Sequence, residues 1–151
     1  MSKKNNSINT VVITGSSGLI GEELTKEFLN KGFRCIGIDI YPGKQEKAEH
    51  HIIDLSSNND LEQSRLSEIF KSIDEPFSLV HAAGKDFKIG EKNEGNFHNY
   101  DLMEEPIEFI NTVKDNLFMT YSTIFNSVKR MEKVNGGNII LLGSLYGNVA
   151  P

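Results

Sequence analysis

The stretch Thr14-Gly15-Ser16-Ser17-Gly18-Leu19-Ile20-Gly21 constrains the fold of this chain more than any other. It follows the β-branched run Thr10 to Ile13 directly and opens a helical pattern, Ile20, Leu24 and Phe28, that Gly32 stops. A strand that turns on glycines into a helix leaves backbone N–H groups and the positive end of the helix dipole facing outward, a place for a phosphate. Glycines so placed also ease the packing of helix on strand, and alone they are a weak signal. Here Asp39 lies 24 residues beyond Gly15, near the end of the next β-type run. Strand, glycines, helix and acid together read as the cradle of a dinucleotide pyrophosphate. No Lys followed by Ser or Thr comes after the glycines, which excludes a Walker-type loop.

The remainder alternates in the same way. Phe33 to Ile40 reads as a second strand, His51 to Leu55 as a third, Phe77 to Ala83 as a fourth and Asn138 to Leu142 as a fifth. Asn59 with Glu62 has the form of a capping box for a helix carrying Leu66, Ile69, Phe70 and Ile73 on one face. Pro106 fits the first position of a long helix, with Glu104 and Glu105 on the favourable side of its dipole. That helix presents Ile110, Val113, Leu117, Ile124, Val128 and Met131, with Phe118 and Phe125 widening the stripe. Such breadth suggests burial on more than one side, against the sheet and a second subunit. From Lys85 to Glu105 no period survives, and the segment is either a substrate contact or without fixed structure. The alternation predicts right-handed crossovers and an α/β fold, a Rossmann-type doubly wound parallel sheet over residues 10–151 behind a polar tail at 1–9.

Ligands of such sheets sit at the carboxyl ends of the strands, where Gly15, Asp39, Asp54, Gly84 and Ser144 fall. A carboxylate at Asp39 accepts both ribose hydroxyls of an adenosine and repels a 2′-phosphate, which favours NAD over NADP unless a basic neighbour such as Lys44 reverses it. Asp54 either accepts from an adenine amino group or merely terminates its strand. The candidate cofactor contacts are Gly15, Ser16, Ser17, Gly18, Leu19, Ile20 and Gly21 from the turn, Asp39, Asp54 and Leu55, and Ala82, Ala83 and Gly84 after the fourth strand. His50 and His51 point to opposite faces of a strand and have no ligand cluster around them, so no metal site is predicted. The single cysteine, Cys35, sits inside a strand and is expected to be a small buried apolar residue in a reducing compartment. With 16 Lys+Arg against 21 Asp+Glu and a net charge of −5, no nucleic-acid or acidic-membrane partner is expected. Met1 to Asn9 is polar and no run approaches a membrane span, so a cytoplasmic location is expected.

These motifs resemble those of the short-chain dehydrogenase/reductase family, over the whole chain but only the first part of that family's length. Thr14 to Gly21 is similar to its glycine motif, in the spacing usual among larger, extended members. His81-Ala82-Ala83-Gly84 corresponds to the Asn-Asn-Ala-Gly element that stabilises the central sheet, with His and Ala in the first two places. Asn116 matches the asparagine of the catalytic tetrad, and Gly137 to Gly147 resembles the strand that delivers the catalytic serine, which puts that role on Ser144. These later matches favour the smaller, single-domain branch. The ending Gly143 to Pro151 is similar to members of surface-sugar and flagellin-modification pathways, which makes a sugar derivative an expected substrate.

The resemblance implies hydride transfer between nicotinamide C4 and a carbonyl or alcohol carbon, with Ser144 on the substrate oxygen and Asn116 holding a relay water. It also implies a homo-oligomer, dimer or tetramer, through the helix 106–132, and a tyrosine with a lysine four residues later as the acid/base. The residues four beyond Tyr41, Tyr100, Tyr121 and Tyr146 are Gln45, Glu104, Phe125 and Ala150, so that pair is absent. The expectation is therefore a cofactor-binding portion of a longer oxidoreductase, inactive as these 151 residues alone. The rival reading is a non-catalytic nucleotide-sensing or interaction module that lacks the acid/base by design; a methyltransferase on a similar sheet is a third.

Overall fold

A computed structural model describes residues 8–85 and 106–143. Eight elements follow in the order β1 Thr10–Thr14, α1 Leu19–Asn30, β2 Arg34–Asp39, β3 Glu49–Ile52, α2 Asp60–Ser72, β4 Phe77–His81, α3 Pro106–Met131 and β5 Gly137–Leu141. The strands form one five-stranded sheet, in the order β3-β2-β1-β4-β5, and every neighbouring pair is parallel. This is the doubly wound α/β architecture expected from the alternation of runs.

The alternation of side chains along β1 separates two cores. Val12 joins Ile36, Ile38, Leu79 and Phe77 on the face covered by α2, through Leu66, Ile69, Phe70 and Ile73, and by Met119 and Met131 of α3. Val11 and Ile13 join Cys35 and Val80 on the opposite face, against Leu24, Phe28 and Leu29 of α1. All five residues of β1 are buried, as a central strand covered on both faces requires. Burial pushes the Cys35 thiol up to about 11, which keeps it protonated and inert.

Three local readings shift. β3 runs from Glu49 to Ile52, earlier than the apolar run suggests, because Ile53 and Leu55 leave the ladder and turn into the core. In α1 the buried positions are Gly21 and Thr25, while Ile20 stands 58% exposed, because the helix packs its small residues on the strand. At α2, Asn59 Oδ1 accepts from Glu62 N at 2.8 Å, but the Glu62 carboxylate accepts from Asp54 N and Arg65, so only half of the capping box forms.

The largest shift concerns α3. Its sheet-facing side is built from Met119, Ser122, Thr123, Ser127 and Met131, which are buried. The apolar stripe of Ile110, Val113, Leu117, Phe125 and Val128 faces outward instead, between 39% and 70% exposed. Small hydroxyl residues let the helix pack closely; Ser122 Oγ donates back to Met119 O and Ser127 Oγ to Ile124 O, whereas Thr123 Oγ1 has no partner among the described residues.

Candidate functional site

β1 lies between β2 and β4, so the strand order reverses at its carboxyl end and opens a crevice there. The chain leaves β1 at Gly15, whose φ of +69° favours glycine. Gly15 N donates to Ile38 O at 2.8 Å and Ala82 N donates to Thr14 O at 3.1 Å, so the turn is pinned to the ends of both neighbours. A Cβ on Gly15 would stand 2.7 Å from Ala83 N, and one on Gly21 would stand 2.0 Å from Gly15 O. These two glycines thus serve close packing as well as the turn. Gly18 precedes α1 with extended backbone, and no side chain caps that end. The first-turn amides are left for an anion.

Beside the turn, Asp39 is gripped from two sides. Its Oδ2 accepts from Ser17 N at 2.9 Å and its Oδ1 from Tyr41 N at 3.0 Å, while Ser17 Oγ donates to Tyr41 O at 2.9 Å. Lys44, the nearest basic candidate, gives its ammonium to Glu22 at 2.7 Å and does not line the cleft. The cleft has a volume of about 370 Å³. Gly15, Ser17 and Gly18 form one wall, Asp39, Asp54 and Leu55 the second, and Ala82, Ala83 and Gly84 the third. Ser16 is buried beneath the turn, its hydroxyl without a partner. Leu19 and Ile20 stand exposed at the start of α1, and Gly21 lies behind Gly15. Ser144 lies outside the described residues.

Sequence reasoning missed Ile40, Tyr41, Lys85 and Met119, which also line the cleft. Tyr41, two residues beyond the expected acid, was within reach of the motif; Lys85 and Met119 depend on how loops and helices meet.

Behind the cleft, His81 joins β4 to β1 and α3. Thr120 donates its hydroxyl to Asn116 O at 2.9 Å, so the Thr120 oxygen, 3.1 Å from His81 Nε2, accepts that ring's N–H. Nδ1 is then the acceptor of the Thr14 hydroxyl at 2.7 Å, and Thr14 Oγ1 in turn accepts from Ala83 N at 3.4 Å. Every hydrogen is assigned with a neutral ring, and burial holds the His81 pKa below its usual value. The Asn116 amide, for its part, makes two bonds to the backbone of Lys85.

A family model described as short chain dehydrogenase matches residues 9–151. Among solved structures, a short chain dehydrogenase from Leptospira borgpetersenii serovar Hardjo-bovis with bound NAD+ is 25% identical, with a TM-score of 0.69, over 100% of this chain and 59% of that one. The ligand-free aldohexose dehydrogenase of Thermoplasma acidophilum is 21% identical with a TM-score of 0.71, over 97% of this chain and 53% of that one. A 4-hydroxyisoleucine dehydrogenase complexed with NADH is 23% identical with a TM-score of 0.68, over 95% and 59%. Comparison with curated proteins finds no match. The chain thus spans little more than half the length of these similar structures. A glycine turn pinned between β2 and β4, an acid held beside it and a family match from residue 9 to residue 151 converge on one assignment: this chain belongs to the short-chain dehydrogenase/reductase family.

Proposed function

We propose that this chain is the cofactor-binding portion of an NAD-preferring oxidoreductase that moves a hydride between the nicotinamide and a carbonyl or alcohol carbon. The observation that carries this reading is Asp39, presented at the cleft beside the glycine turn by the amides of Ser17 and Tyr41. A pyrophosphate fits against the first turn of α1, which Gly18 leads into with no side-chain cap. The adenosine ribose then falls to Asp39 and the adenine amino group to Asp54, whose Oδ1 is taken by Ser56. Asp39 opposes a 2′-phosphate, and Lys44, paired with Glu22, offers it no counter-charge.

When bound, the nicotinamide supplies the hydride donor or acceptor. Ser144 hydrogen-bonds the substrate oxygen and stabilises the charge that develops on it. Asn116 keeps one lone pair on Oδ1 and one hydrogen on Nδ2 beyond its bonds to Lys85, enough to hold a relay water. No tyrosine of the chain has a lysine four residues later, so the 151 residues alone are expected to bind dinucleotide weakly at best and to turn over nothing. A sugar derivative is the substrate class favoured by the likeness of residues 143–151 to sugar-modifying members. The outward stripe of α3 supports a homo-oligomer, because its exposed residues recur at helical spacing along a helix of 26 residues.

Calorimetric titration of the full-length protein with NAD and NADP tests the cofactor assignment. Tighter binding of NADP would sink the role given to Asp39, and NAD(H)-linked carbonyl reduction by the isolated 151 residues would overturn their predicted inactivity.

A further inference from the structure

Lys85 touches two separate parts of the chain, α3 at Asp115 and Asn116 and the segment after β3 at Ser56. Its N–H donates to Asn116 Oδ1 at 2.8 Å and its carbonyl accepts from Asn116 Nδ2 at 2.8 Å, so the amide on α3 clasps one residue of the loop after β4 in both directions. Its ammonium donates to Asp115 Oδ2 at 2.8 Å and to Ser56 Oγ at 2.7 Å. Ser56 points its own proton at Asp54 Oδ1 at 2.6 Å, and Ser56 N donates to the same oxygen at 2.9 Å.

An ammonium has only donors and a serine hydroxyl has one proton, so the direction of each bond is fixed, from Lys85 through Ser56 to Asp54. Both bonds to the Asp54 carboxylate fall on Oδ1, and Oδ2 has no partner among the described residues. The ion pair to Asp115 is part-exposed, at 42% and 34%, so its share of stability is small. Its geometry matters more, because one side chain spans from the adenine wall of the cleft to the helix that carries Asn116.

We propose that Lys85 is a positioning residue that couples the adenine side of the cleft, at Asp54, to Asn116 on α3. This rests on reading the cleft as a dinucleotide site. An adenine amino group that donates to Asp54 shares that carboxylate with Ser56. The Lys85 ammonium responds through Ser56, and the Lys85 backbone carries the change to the Asn116 amide.

The test follows the side-chain amide resonance of Asn116 in the ¹⁵N-labelled full-length protein, identified by its loss in Asn116→Asp, during titration with AMP. AMP carries adenine and ribose but no nicotinamide, so any response at Asn116 is transmitted. The shift is expected in the wild type and in Lys85→Arg. In Lys85→Met it is expected to vanish while AMP affinity falls by about fivefold, the scale of one exposed charged contact. Ser56→Ala cuts the strap at its other end and leaves the pair with Asp115, so it is expected to lose the shift too and serves where Lys85→Met does not fold. A resonance that AMP leaves unmoved in the wild type, or moves fully in either Lys85→Met or Ser56→Ala, overturns the coupling alone. Absence of AMP binding to the wild type overturns the dinucleotide reading on which it rests.

Discussion

Asp39 is held by two backbone amides, so its carboxylate is oriented before any ligand arrives. Asp39→Ala removes that acceptor and the charge that opposes a 2′-phosphate. The expected result is a loss of NAD affinity of about 1.5–3 kcal/mol, with a smaller change for NADP, read by calorimetry. His81 gives a second prediction at this scale. Its folded pKa lies below the ordinary value of 6.5, so as pH falls through 6.5 the unfolded chain takes up a proton that the folded chain refuses. Stability is therefore full above pH 6.5 and declines below it toward the folded pKa. Urea midpoints at pH 7.5 and at pH 5.5 are expected to differ more in the wild type than in His81→Asn, which cannot take up that proton. The place of Asp39 beside the turn was legible in the sequence, because it follows from distance along the chain after the glycines. The bridge from Thr14 through His81 to Thr120 was not, since only the sheet order and the seating of α3 bring those residues together.

At the scale of elements, the turn into α1 and the outer face of α3 behave differently under substitution. A methyl at Gly21 meets the Gly15 carbonyl at 2.0 Å, a backbone atom that moves only if the turn moves. Gly21→Ala is expected to cost about 1–3 kcal/mol in denaturant unfolding and to abolish measurable NAD binding, whereas Gly18→Ala, with its nearest contact at 3.3 Å, is expected to be milder. On α3, Phe125 is 53% exposed, so a charge there leaves the sheet contacts intact. If the outer face of α3 is the proposed subunit interface, Phe125→Glu is expected to lower the mass seen in sedimentation, and to leave the unfolding midpoint unchanged at concentrations where the wild type is monomeric. A stripe with helical period announced the helix but not which way it faced. Ser122, Thr123 and Ser127 are among the residues it buries, and polar residues at those positions give a hydropathy pattern no inward signal.

For the whole molecule, the strand order places the glycine turn, Asp39, Asp54 and the residues after His81 around one crevice, although they are spread over 70 residues from Gly15 to Lys85. The alternation of strands and helices carried that architecture, and the carboxyl-end rule placed the cleft. The exact strand limits did not follow, because Ile53 and Leu55 are as apolar as a strand while serving as core plugs. Phe77, fully buried beside Phe70, anchors the face shared by α2 and α3. Phe77→Ala is expected to cost about 3–5 kcal/mol in urea unfolding.

The register of the sheet also sets an order of assembly. β1 meets β2 through residues 24 apart, Thr10 and Arg34, and β2 meets β3 through residues 13 apart, Ile36 and Glu49. β1 meets β4 across 67 residues, Thr10 to Phe77, and β4 meets β5 across 60, Phe77 to Gly137. Longer separations mean costlier chain closure, so the half that carries Asp39 and Asp54 is the half that closes first. In a refolding experiment with pulsed hydrogen exchange, the amides of Cys35 to Ile38 are expected to gain protection before those of Ile139 to Leu141. The newly made chain would then possess its Asp39 platform before the sheet that completes the crevice has closed beside it.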